Sequence, residues 1–293
     1  MMVVRTVADL RAALRDRRGG SVGFVPTMGA LHEGHVSLLR AARAENGTLV
    51  LSIFVNPTQF DEQSDLAAYP RTEEADLGIA DDAGVDVVFA PGGDEVYPAG
   101  FSTMVSVTGP VAETLEGAQR GRAHFDGVAT VVTKLLLSVL PDAAYFGAKD
   151  AQQVAVIRRL VADLSIPVRV VVCPTSRDDD GLARSSRNAR LTPEERSRAL
   201  AIPRALSAVT DAAAAGVTDT EALRADAAAV LSDAGVEPEY LALVDPVSFE
   251  PVAARRGPVL VAIAARVGRT RLIDNVVLEP VREPFGTPYE GGA

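Results

Sequence analysis

Four stretches of the chain gather side chains suited to holding phosphate or small polar acids. The first is Pro26-Thr27-Met28-Gly29-Ala30-Leu31-His32-Glu33-Gly34-His35, between an apolar run and a helix-like segment. His32 and His35 are i and i+3, so on a first helical turn they share a face. A helix N-terminus presents free backbone N–H groups and the positive end of the helix dipole, and two imidazoles beside it suit a polyanion. Gly29 and Gly34 allow close backbone approach. On their own, the two histidines also fit a plain surface turn or a metal pair. A zinc site is disfavoured because no Cys/His cluster completes it.

The second stretch is Phe54-Val55-Asn56-Pro57-Thr58-Gln59-Phe60, where Asn56 and Gln59 can both donate and accept to a small polar acid. An Asx-Pro turn is the plainer reading. Asp65-Leu66-Ala67-Ala68-Tyr69-Pro70-Arg71 follows as a loop that could lie over such a site. The third stretch runs Phe146-Gly147-Ala148-Lys149-Asp150-Ala151-Gln152-Gln153. An ammonium at a strand end would neutralise phosphate charge. Asp150 could instead serve only as a helix N-cap. The fourth, Ser176 to Asn188, ends in Ser185-Ser186-Arg187, two hydroxyls and a guanidinium suited to a polyanion. Its acidic triplet Asp178–Asp180 reads as a solvated turn, not a metal cage, since no further ligand spacing supports one.

These stretches need a frame that brings them together. Apolar runs at residues 22–25, 48–55, 85–90, 143–146 and 168–173 alternate with helical patterns at 33–46, 72–83, 127–140 and 150–164. Strands without polar alternation, separated by helices, predict an α/β fold: a Rossmann-like, doubly wound parallel sheet covered on both faces. Ligands in such sheets sit beyond the carboxyl ends of the strands, where all four stretches fall. After a polar loop at 175–190, two Ala-rich helices (193–215 and 218–234) and three strands (240–244, 258–267 and 271–277) predict a smaller α+β unit. The expected division is 1–175 for a nucleotide- and acid-binding domain and 176–283 for a smaller domain covering the site. The Gly/Pro-rich residues 284–293 read as a disordered tail.

Composition narrows the function classes. A chain of 293 residues that is 47% hydrophobic and 23% charged has ample material for a core. Its longest purely apolar run, 259–265, is too short for a membrane helix. The amino terminus lacks a secretory pattern, so a cytoplasmic location is expected. Cys173 is the single cysteine and fits a reducing compartment. A net charge of −10 argues against nucleic acid as a partner, so any anion must be held by a local cluster of donors. Of 29 basic side chains only Lys134 and Lys149 are lysines, which singles out the lysine at a strand end.

The histidine string resembles the HxGH signature of the nucleotidylyltransferase superfamily. With FVNPTQF, YPR, HFDGV, FG-x-KD-x-QQ and DGLA-x-SSRN in this order, residues 6–278 resemble the pantothenate synthetase (pantoate–β-alanine ligase) family. The resemblance implies ATP-dependent condensation of (R)-pantoate with β-alanine to pantothenate, a precursor of coenzyme A. It implies a pantoyl-adenylate intermediate, release of AMP and pyrophosphate, use of Mg²⁺ on the phosphates, and a homodimer. It implies that Met28, Gly29, Ala30, Leu31, His32, Glu33, Gly34 and His35 cradle the nucleotide, with His32, His35, Lys149 and Arg187 as catalytic groups. Gly147, Ala148, Asp150, Ser176, Arg184, Ser185 and Ser186 would border ATP. Gln59 and Gln153 would grip pantoate, with Asn56, Tyr69 and His124 on the same side, and Gln59 would also meet β-alanine. The Mg²⁺ ligands are not implied.

Two departures from the family pattern stand out. Arg120-Gly121-Arg122-Ala123-His124-Phe125 is one residue longer than the usual string, so either Arg120 or Arg122 could serve the acid site. Arg184 stands where an apolar residue is common; it either faces solvent or adds positive charge beside the triphosphate. The competing readings are an HxGH adenylyltransferase acting on a phosphate acceptor, and a nucleotide-binding sensor without turnover.

Overall fold

A computed structural model describes residues 1–60 and 63–280. Nine strands are β1 (Met2–Val4), β2 (Val22–Thr27), β3 (Thr48–Ile53), β4 (Val87–Phe89), β5 (Ala143–Gly147), β6 (Arg169–Cys173), β7 (Pro238–Val244), β8 (Val259–Val267) and β9 (Thr270–Leu278). The first six form one sheet in the order β1-β4-β3-β2-β5-β6, and every pairing within it is parallel.

The sheet is covered on both faces because its strands alternate between two apolar clusters. Phe24, Val50 and Phe89 pack with the helices Val7–Arg15, Arg122–Val139 and Ala151–Asp163. Val25, Leu49, Leu51 and Tyr145 pack with Glu33–Glu45 and Glu73–Asp82. Both sets are apolar, so the period-two alternation is hidden in the sequence and the strands read as continuous apolar runs.

The chain reverses its direction of winding between β2 and β5. There the two strands pair only at Gly23↔Ala143 and Phe24↔Ala144, whereas β2 stays paired with β3 from Val22 to Thr27. Beyond Phe24 the strands part, and the crevice opens at the topological switch point where doubly wound sheets hold ligands.

Strands β7, β8 and β9 form an antiparallel sheet in that order. One face packs on the helices Ala201–Ala214 and Thr220–Asp233 through Val209, Leu223, Val261 and Ile263. Phe249, Leu260 and Ala262 on other positions join the core of the parallel sheet.

Several elements differ from the sequence expectation. The strand β1 and the helix Val7–Arg15 were not expected; three strand residues are too few to give a pattern, although Thr6 caps the helix by accepting from the Asp9 amide. The expected helix at 193–215 is two helices, Pro193–Ala199 and Ala201–Ala214. Pro203 has no N–H to give the Ala199 carbonyl and its ring crowds that carbonyl, so the turn breaks at Leu200. The expected loop before Arg71 contains a short helix, Gln63–Ala68. The helix expected to begin at residue 127 begins at Arg122. The tail at 284–293 lies outside the described residues. Among the described residues no helix is long and apolar enough to cross a membrane.

Candidate active site

The turn after β2 is built around a buried carboxylate. Gly29 and Ala30 both take positive φ, 80° and 50°, which turns their amides inward. Asp76 accepts the Ala30 amide at 2.9 Å and the Leu31 amide at 2.7 Å. A Cβ on Gly29 would stand 2.9 Å from the Asp76 carboxylate, so only glycine fits. Thr27 locks the other end, accepting from the Gly29 amide and donating to the Ser52 carbonyl.

The two histidines cap the following helix, Glu33–Glu45, from within. His32 Nδ1 accepts from the Gly34 amide at 3.1 Å, and His35 Nδ1 accepts from the His32 amide at 3.3 Å. The rings lie 4.1 Å apart. With both Nδ1 atoms accepting, each neutral ring carries its proton on Nε2, free to donate outward. Burial, then the neighbouring Lys149, lowers the His32 pKa. Burial, then His32 and Lys149, pushes His35 down to about 3. Both rings are therefore neutral donors near pH 7, not a cationic pair.

The opposite wall comes from β5 and the loop beyond β6. Lys149 sits in the short turn Ala148–Asp150 that joins β5 to the next helix. Its pKa is lowered by burial, partly offset by Asp150. Ser185 caps the turn Ser186–Arg190 by accepting from the Arg187 amide. Desolvation and then Arg120 lower the Arg187 pKa. Among the described residues, neither the Lys149 nor the Arg187 side chain forms a hydrogen bond or salt bridge with the protein. Such cations are costly to desolvate and gain most from an incoming anion.

A third group surrounds Gln59. Asn56 is 1% exposed and donates to Gln59 Oε1 and to the Gly127 carbonyl. Asn56 Oδ1 accepts from the Thr58 and Tyr97 hydroxyls. The amide is thus spent within the protein, holding Gln59 in place. His124 donates from Nδ1 to the Gln59 carbonyl at 2.8 Å, and Gln59 Nε2 reaches Met28 Sδ at 3.0 Å. Gly127 makes this possible: a Cβ there would lie 2.4 Å from the Thr58 carbonyl oxygen.

These walls enclose one cavity of about 330 Å³, lined by most of the expected side chains. Met28, Ala30, His32, Gly34 and His35 meet Asn56, Gln59, Tyr69 and His124. Gly147, Lys149, Asp150, Gln153, Ser176, Arg184, Ser185, Ser186 and Arg187 complete the set. Gly29, Leu31, Glu33 and Ala148 do not line it. Gly29 and Leu31 are buried behind the turn, and Glu33 pairs outward with Arg40. Arg120 lines the cavity, while Arg122 points away to Asp126 and Ser106. Arg184 does not simply face solvent: it pairs with Asp178 and lines the cavity. The acidic triplet is not merely solvated either, because Asp178 and Asp180 both hold Arg196. Asp150 stands at the helix start without a side-chain cap bond.

The sequence model of the family "Pantoate-beta-alanine ligase" matches residues 2–277. The chain belongs to the pantoate–β-alanine ligase family. The pantothenate synthetase of Rhizorhabdus wittichii is 53% identical over 283 residues, 96% of this chain and 99% of that protein. The crystal structure of pantothenate synthetase from Thermus thermophilus superposes with a TM-score of 0.90 at 47% identity, over 96% of this chain and all of that one (100%). The Francisella tularensis ligase, solved complexed with beta-gamma ATP and beta-alanine, gives a TM-score of 0.76 at 34% identity, covering 94% of this chain and 97% of its own. This ligase joins pantoate to β-alanine, and its doubly wound sheet with a small antiparallel sheet is the family's fold.

Sequence reasoning about this ligase missed the second tier of the site. Asp76, Glu116, Tyr240, Asp274 and Asn275 either line the cavity or hold groups that do. Asp76 had a readable signal, an acid one turn into a helix after the Tyr-Pro-Arg loop. The residues from β7 and β9 had none, because nothing local tells which edge of a small sheet will face a distant cleft.

Proposed function

We propose that this cavity carries out both halves of an ATP-driven amide synthesis. ATP lies across the β2/β5 crevice, with its phosphates between the imidazole turn and the Lys149–Arg187 wall. The observation that carries this reading is the pair of partly desolvated cations without bonded counter-ions, facing two neutral Nε2–H donors across one cleft. Such a set is prepared for a polyanion that the acidic surface would otherwise repel.

In the first half-reaction a pantoate carboxylate oxygen attacks the α-phosphorus and the bond to the bridging oxygen of pyrophosphate breaks. Gln59 and Gln153 orient pantoate. His35 and His32 donate from Nε2 to phosphoryl oxygens as charge builds, and Lys149 and Arg187 stabilise the leaving pyrophosphate with help from Ser185 and Ser186. Holding both anions in line removes much of the entropic barrier; effective molarities for such alignment reach on the order of 10⁵ M or more. In the second half-reaction the β-alanine amine attacks the acyl carbon and AMP leaves. Arg120, not Arg122, is the arginine that fits the carboxylate end of the acid site.

Mg²⁺ belongs to the same reading. Among the described residues no group of three or more His, Cys, Asp or Glu could hold a metal ion. The ion would be carried by phosphate oxygens and water, a common mode for Mg²⁺, and would neutralise phosphate charge. A homodimer rests on the family alone, and sedimentation of the purified chain tests it; a cytoplasmic location is supported by the single cysteine, Cys173, together with the biosynthetic family.

The decisive experiment separates the steps. Pyrophosphate release should require (R)-pantoate, AMP formation should require β-alanine, and mass spectrometry should detect pantoyl adenylate when the amine is withheld. Pyrophosphate release with a phosphate-bearing acceptor but not with pantoate would favour the adenylyltransferase reading. Binding of ATP without turnover would favour the sensor.

A further inference from the structure

β9 is an outer strand of the small sheet, and it reaches the two turns that present the phosphate-binding cations. Asn275 is 9% exposed, and its amide donates to the Ala148 carbonyl at 3.0 Å and to the Lys149 carbonyl at 2.8 Å. Both hydrogens of one rigid amide therefore hold two successive carbonyls of the turn that carries Lys149. Its neighbour Asp274, 3% exposed, accepts from Arg177 at 2.7 and 3.1 Å as a bidentate pair. Asp274 also accepts from the Asn275 backbone N–H at 2.8 Å, which ties the two contacts together. Arg177 stands at the base of the loop that delivers Arg187, where it bridges to Ala183.

We propose that Asn275 is a positioning residue for Lys149, and that its partner Asp274 fixes the loop bearing Arg187, so that the outer strand of the small sheet sets the spacing of the two cations. The proposal rests on the reading of Lys149 and Arg187 given above. A carbonyl direction fixes the plane of its peptide, and the peptide plane fixes where Cβ points. Two restrained carbonyls, one on each side of the Lys149 Cα, fix the direction in which its side chain leaves the turn. A displacement of about 1 Å in a reacting or charge-stabilising group costs roughly a hundredfold in rate. Asn275 thus acts on the first half-reaction through Lys149.

A double-mutant cycle on the full chain tests this. Asn275→Ala, Lys149→Ala and the double variant are compared in two single-turnover assays: pyrophosphate release from ATP and pantoate, and amide formation from supplied pantoyl adenylate and β-alanine. Asn275→Ala should slow the first by roughly 10- to 100-fold and leave the second nearly unchanged. In the Lys149→Ala background its effect should largely vanish. An equal loss in both assays, no loss in either, or an undiminished loss without Lys149 would overturn the proposal. If Lys149→Ala releases pyrophosphate at the normal rate, the reading of Lys149 itself fails. If it is crippled while Asn275→Ala is not, only the positioning role fails. Should Asn275→Ala not fold, Asn275→Asp, which keeps the shape and removes both donors, is judged by the same two assays.

Discussion

The two walls of the cleft carry similar chemistry on different supports. On the β2 side the imidazole turn is closed by its own backbone, by Thr27 and by Asp76, all within the parallel-sheet layer. On the β5–β6 side Lys149 and Arg187 stand on turns whose outer restraints come from β9, for Asn275 126 positions further along the chain. The first wall is held by residues of the parallel-sheet layer. The second also draws restraints from the small sheet. Neutral donors tolerate burial, whereas the Lys149 and Arg187 cations are costly to bury without a bonded partner.

The largest effect should come from breaking the second wall. Lys149→Ala is expected to slow pantoate-dependent pyrophosphate release by roughly 10²- to 10³-fold, the usual loss of an electrostatic donor, with the melting temperature nearly unchanged. Breaking the first wall should cost stability as well as rate. Asp76→Asn replaces one of two acceptor oxygens with an amide NH₂ that would face a backbone N–H, and urea unfolding should show a loss of about 1–3 kcal/mol. Equal stability of that variant would mean the turn holds itself.

A sharper test uses pH. His35 has a pKa of about 3 in the folded chain against an ordinary 6.5. Between those values the unfolded chain takes up a proton that the folded ring refuses. The stability contributed by this site is whole above pH 6.5 and drains as pH falls toward 3. At pH 5 the wild-type chain should have lost about 2 kcal/mol more than His35→Gln, relative to pH 7.5, in denaturant titrations. Parallel pH curves for the two proteins would remove this account of the buried ring. The smallest effect discriminates the two arginines of the long string. Arg122→Ala should change stability by about 0.5 kcal/mol or less and leave turnover intact, since its ion pair is exposed. Arg120→Ala should raise the KM for an acid substrate. The reverse pattern would reassign the acid site.

The same division explains what could be read from residues alone. The parallel sheet was legible because five of its strands are apolar on both faces, and the imidazole turn because it is one unbroken string. Asn56 was expected beside a small acid and lines the cavity; that it also holds Gln59 was not legible, since the string shows an amide but not the Gly127 carbonyl and Tyr97 hydroxyl that bond to it. Pro203 was in plain sight, yet a continuous Ala-rich pattern masked the break it makes at Leu200. Asp274 and Asn275 were illegible for another reason: their partners Arg177, Ala148 and Lys149 are remote in sequence and meet them only after two sheets pack.

Imidazole suits the double duty proposed for the histidine turn. Each ring is a two-ended tool, with one nitrogen sewn into the backbone and the other left to face the cleft. Asparagine could copy the inward stitch and glutamine the outward reach, but neither side chain spans both ends. Exchanging the two amides at either position would therefore separate the scaffolding share of each histidine from its share in the chemistry.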